Sequence, residues 1–129
     1  MKRNLTLTIS SLLLLVLFTF HLAADALHVN EGIAASGIVI VLLIMLVLLY
    51  GTVELAGRRW GYVITLLGGM AAVTMPFLHT LGPRATRWGF SFVWTLIAIG
   101  VLGAFTAVLS ARELWRSFRT RADTPSLQG

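Results

Sequence analysis

Groups able to move a proton or bind a metal are scarce in this 129-residue chain, which has three His, five Asp or Glu and no Cys. Three of them are regularly spaced: His21, Asp25 and His28 stand at i, i+4 and i+7. At about 100° per residue an α-helix places such positions on one narrow face. Glu31 follows, and His79 stands further along with Met75 four residues before it. Imidazole suits first-row divalent ions, so His21, Asp25, His28 and His79 form a candidate metal site, and Met75 would favour copper as Cu(I). A narrower version is a b-type haem between His21 and His79 on facing helices. Gly68 and Gly69 would admit the ring and Arg84 or Arg87 would meet the propionates. The same residues also fit plainer roles: hydrated polarity at the headgroup level, His–Asp pairing one turn apart, or proton handling. The lack of cysteine excludes thiolate metal sites, Fe–S clusters and thiol nucleophiles. The sequence contains no phosphate-cradling glycine loop, nucleophile elbow or catalytic triad, so an enzyme is disfavoured.

The elements that must position these residues are strongly apolar. Hydrophobic residues make up 57% of the chain and charged ones 12%, with a mean hydropathy of +0.88. A soluble domain carries about a quarter charged residues. Four apolar runs, residues 5–26, 33–53, 60–81 and 88–111, each approach the ~20 residues a helix needs to cross about 30 Å of hydrocarbon. Backbone groups in lipid must be satisfied within the segment, which leaves helices as the form of such runs. Short connections make consecutive helices antiparallel neighbours. The expected fold is therefore all-α, an integral membrane four-helix antiparallel bundle forming one domain over residues 1–121. The last helix runs on to about 121, and 122–129 are expected as a disordered cytoplasmic tail. Pro76 predicts a kink or a freed Ala72 carbonyl in the third helix. This layout returns His79 to the same side as His21.

Basic residues set the expected orientation. Lys2, Arg3, Arg58, Arg59, Arg112, Arg116, Arg119 and Arg121 fall on one side, and only Arg84 and Arg87 on the other. The bias puts both termini in the cytoplasm, with the protein multi-pass in an inner or plasma membrane. The net charge of +5 reflects these flanking residues rather than a patch on a polar domain, so no nucleic-acid partner is implied. Lys2-Arg3, the leucine run and Ala24-Asp25-Ala26 also resemble a signal peptide, and cleavage after Ala26 would leave three helices. The long apolar run favours retention and four spans. Gly61, Thr65 and Gly69, and Gly103, Ala107 and Ala111, form small-residue ridges that predict close packing of the third and fourth helices. A homodimer seam or a contact with a larger complex is the alternative. Glu54 and Arg58 suit an i, i+4 surface pair. Leu114, Trp115 and Phe118 among four arginines suit an anchoring role at anionic headgroups.

Phe20-His-Leu-Ala-Ala-Asp25, the run Tyr50-Gly-Thr-Val-Glu-Leu-Ala-Gly-Arg-Arg-Trp-Gly-Tyr62, and Gly89-Phe-Ser-Phe-Val-Trp94 resemble small four-helix bacterial integral membrane proteins. The resemblance implies the fold and no particular activity. The chain departs from small multidrug transporters, since its first helix has no acidic residue midway. Three functions follow. The first is a non-enzymatic accessory or structural subunit in the bilayer, packing on a larger complex or a second copy. The second is a metal- or haem-binding protein using the histidines. The third is a small proton-coupled transporter that depends on Asp25.

Overall fold

A computed structural model describes the backbone of residues 4–28, 35–80 and 90–122, with side chains for 4–24, 39–78 and 93–119. All regular structure among them is helical: α1 (Leu5–His28), α2 (Ala35–Val53), α3 (Arg59–Thr80) and α4 (Phe90–Ala122). These bounds lie within a few residues of the apolar runs. α4 is the longest at 33 residues, continuing past its apolar part as the arginine-rich segment implied. α3 runs unbroken through Pro76, whose ring faces Gly100 of α4.

A repeat of alternating three- and four-residue steps marks the inward side of three helices. In α1 it is Leu7, Ser11, Leu14, Phe18 and His21, in α3 Tyr62, Thr65, Gly69 and Ala72, and in α4 Leu96, Ile99, Gly103, Thr106 and Ser110, all buried. This period keeps one seam facing its neighbours along a shallowly crossing bundle. α3 and α4 make the most extensive pair. α1 packs on α4, α2 on α3, and a lighter α1–α2 contact closes the ring. The small-residue ridges explain the tight pair: a Cβ on Gly69 would stand 2.7 Å from the carbonyl oxygen of Gly103, and one on Gly103 would stand 2.9 Å from that of Gly69.

α2 ends at Val53, and the chain turns into α3 through Leu55–Arg58. Gly57 takes a positive φ of 82° there, and the Arg58 amide donates to the Leu55 carbonyl at 2.9 Å. Only glycine holds such a backbone without strain. The turn corrects one expectation. Glu54 lies beyond the helix end, so the i, i+4 geometry with Arg58 does not exist. Both side chains are exposed.

The distribution of side chains is inverted relative to a soluble bundle. The apolar core is a small cluster of Leu14, Phe18, Ala72 and Ile99, flanked by Leu17, Met45, Met75 and Leu102. The other buried positions include Ser10, Ser11, Thr52, Thr65, Thr106, Ser110, Ser117 and His21. Large apolar side chains point outward on all four helices. On α2, Ile40, Leu42, Leu43, Ile44, Leu46, Val47 and Leu49 are all exposed, while Leu48 and Thr52 face in. Three helices are long and apolar enough to cross a membrane, over Leu5–Ala24, Arg59–Leu78 and Val93–Arg119, and the described apolar part of α2, Val39–Val53, is shorter.

Candidate functional site

The first turn of α1, the last turn of α2, the first turns of α3 and the C-terminal third of α4 meet at one end of the bundle. Asn4 joins two of these elements. Its Oδ1 accepts the Leu7 amide at 3.2 Å, capping α1, and its Nδ2 donates to Glu113 Oε1 at 2.9 Å. Arg116 reaches the same Glu113 oxygen at 3.1 Å. Arg59 donates to the Ser117 carbonyl at 2.7 Å and lies 5.0 Å over the Phe118 ring. A helix start leaves amides without intrahelical partners, which the Asn4 cap uses, and the contacts to Glu113 and Ser117 register α1 and α3 against α4.

Deeper in the bundle, hydroxyls pair across helices. Ser11 and Thr52 lie 2.6 Å apart, joining α1 to α2. Thr65 and Ser110 lie 2.9 Å apart, joining α3 to α4. The threonines also serve their own helices, Thr52 donating to the Leu48 carbonyl at 2.7 Å and Thr65 to that of Gly61 at 2.9 Å. Donors bonded to their own helix can sit where no water reaches. Tyr62 Oη and Thr106 Oγ1 are buried without a hydrogen-bond partner among the described residues. A cavity of about 10 Å³ opens among Asn4, Thr8, Thr52, Tyr62 and Thr65. That volume is about one water molecule, too small for a substrate. Above these hydroxyls stands the apolar cluster of Leu14, Phe18, Ala72 and Ile99, and beyond it on α1 comes His21.

His21 is only 4% exposed, fourteen residues along the seam from Leu7. Asp25 and His28 fall within α1 and His79 within α3. Their side chains, with Glu31, Arg84 and Arg87, lie outside the described residues. The proposed His/Asp set is thus represented by one member. Among the described residues no group of three His, Cys, Asp or Glu converges to hold a metal ion.

The sequence reading missed the hydroxyl pairs and the Asn4–Glu113 contact. A usable signal existed. Stepping back from His21 by three and four residues passes through Phe18, Leu14, Ser11, Leu7 and Asn4, which brings two polar residues into register with the histidine. The fold and these contacts define a helical bundle with a mixed polar and apolar interior and an apolar outer surface, with three helices able to span a membrane. The sequence matches no family model, no curated protein and no solved structure.

Proposed function

We propose that the chain is a four-pass protein of a bacterial inner membrane, both termini cytoplasmic, serving without catalysis as a small structural or accessory subunit. One observation carries this reading. Ser, Thr and His share the interior with a comparable number of apolar side chains, while exposed leucine, valine, isoleucine, phenylalanine and tryptophan cover the outside. In water that arrangement would leave most of the apolar surface unburied; in lipid it costs nothing, because acyl chains are as apolar as leucine. Thr19 and Thr74, on the outer surface, return their hydroxyls to the Leu15 and Ala71 carbonyls at 2.9 and 2.8 Å, as a donor in hydrocarbon must. The core residues Leu14 and Phe18 come from α1, which supports its retention as the first span. α2 is apolar around almost its whole circumference, which supports a lipid or partner-helix environment for it.

The absence of cysteine makes the test clean. Arg58→Cys and Thr86→Cys variants each carry one thiol, on opposite sides in this topology. In intact cells a membrane-impermeant maleimide labels Thr86→Cys alone, and alkaline carbonate leaves both proteins in the membrane. Labelling of Arg58→Cys from outside, or release by carbonate, defeats the topology. The subunit role is tested by in-cell crosslinking from α2: one specific larger adduct is expected, and a monomer with its own transport activity overturns it.

A second reading rests on the burial of His21 on the inward seam. An ionisable side chain within a span is costly and marks a site. Here His21, Asp25, His28 and His79 would ligate a metal, or His21 and His79 a haem.

A further inference from the structure

The outer face of α4 changes character along its length. Val101, Phe105, Val108, Arg112, Trp115 and Arg119 recur at alternating four- and three-residue steps, forming one outward stripe, and all six are exposed. The first three are apolar. From Arg112 the stripe is cationic and aromatic, with exposed Arg116 beside it. From Phe90, where α4 begins, to Arg112 the helix rises about 33 Å at 1.5 Å per residue, close to the ~30 Å of a hydrocarbon core. The chemical change therefore falls where acyl chains give way to headgroups. The neighbouring carboxylate offsets only part of the charge, since Glu113 meets one of the three arginines, Arg116, at 3.1 Å. Glu113 lies between Ser110 and Ser117 on the inward side, held by Asn4 at 2.9 Å. The Arg119 guanidinium lies 5.2 Å over the Trp115 ring, so the aromatic side chain limits its freedom.

We propose that this stripe is a binding site for an anionic phospholipid. Arg112, Arg116 and Arg119 hold the headgroup phosphate beside Trp115, and an acyl chain lies along Val108, Phe105 and Val101. The inference rests on the membrane reading above. Guanidinium groups match phosphate oxygens in paired hydrogen bonds. The continuous apolar stripe selects a lipid over a free phosphate, because half of the site has no use for an ion.

The experiment uses the full chain in detergent micelles, titrated with phosphatidylglycerol or phosphatidylcholine of the same chains, and with inorganic phosphate. Phosphatidylglycerol is expected to bind at least tenfold more tightly than phosphatidylcholine, and millimolar inorganic phosphate not to compete. Each arginine near a headgroup contributes roughly a fivefold preference, so the R112Q/R119Q double variant should lose roughly 25-fold. That pair leaves the Glu113–Arg116 contact intact. Unchanged helicity and melting show that the variant is folded, and if it is not, R112Q alone carries the test with a fivefold loss. Equal affinity for the two lipids, an undiminished preference in a folded variant, or effective competition by phosphate overturns the site. Release of the native chain by alkaline carbonate would instead defeat the membrane reading, so the two failures are distinguishable.

Discussion

Thr65 and Ser110 meet hydroxyl to hydroxyl at 2.9 Å between α3 and α4, both out of reach of solvent. Thr65 Oγ1 also lies 2.9 Å from the Gly61 carbonyl, and a hydroxyl has one proton. With that proton directed to Gly61, Ser110 is the donor and Thr65 the acceptor. Ser11 and Thr52 repeat the arrangement between α1 and α2. These two helix pairs thus each have a hydroxyl link set into a seam of small or apolar residues.

The strength of that link is measurable. Interhelical hydrogen bonds in membrane bundles average about 0.6 kcal/mol and reach about 1.7 kcal/mol. A double-mutant cycle of Thr65→Val and Ser110→Ala, read by denaturant unfolding in detergent, should give a coupling in that range. A coupling indistinguishable from zero would mean that the two hydroxyls serve only their own helices.

The glycines of α3 should separate by what they face. A Cβ on Gly69 would meet backbone, 2.7 Å from the Gly103 oxygen and 2.8 Å from the Ala107 nitrogen, whereas one on Gly68 would meet the tip of the Leu48 side chain. Leucine can rotate away; a packed backbone cannot. Gly69→Ala is therefore expected to cost about 1–3 kcal/mol, and Gly68→Ala well under half as much. Thermal melting of both variants in the same detergent checks the order, and equal losses would contradict the packing.

How much of this could be read from the sequence depends on the length of the signal. The four helices were legible because each apolar run is long. The α3–α4 packing was legible because Gly69 and Gly103 sit in ridges of small residues. The hydroxyl pairs were hidden because Ser and Thr are common in apolar helices, and only the partner across the seam gives Ser110 a role. Glu54 misled for a local reason. Its spacing to Arg58 has meaning only inside a helix, and Gly57 ends that possibility with its left-handed backbone. Of the candidate histidines, the long apolar run correctly placed His21 on a helix, and the three-dimensional seam adds that it faces inward.

Asn4 has two roles that substitution can divide. Alanine removes both the cap on the Leu7 amide and the tie to Glu113, and loss of an N-cap alone costs about 0.5–2 kcal/mol. Aspartate keeps a capping oxygen but sets a carboxylate against Glu113 at the distance of the present 2.9 Å hydrogen bond. Asn4→Asp should therefore be destabilised at neutral pH and recover as acidification protonates either group. Asn4→Ala should show no such recovery. Melting temperatures across pH distinguish the two, and parallel profiles would show that the contact with Glu113 contributes little.

His21 decides between the non-catalytic subunit and the ligand-binding reading. On the first, its role is to fill the seam beyond the Leu14–Phe18 cluster. His21→Leu, similar in volume, should then keep the bundle helical, with a loss no larger than the about 1–3 kcal/mol of one lost buried polar contact. Protein purified without chelators should carry substoichiometric metal and show no Soret absorbance. One equivalent of copper or zinc, or a Soret band, that vanishes in His21→Leu while the helices persist would transfer the assignment to ligation. The Met75→Leu variant then separates the metals. Loss of Cu(I) with zinc retained would place the thioether in the site, because sulfur is a soft ligand that zinc at a His/carboxylate site does not need.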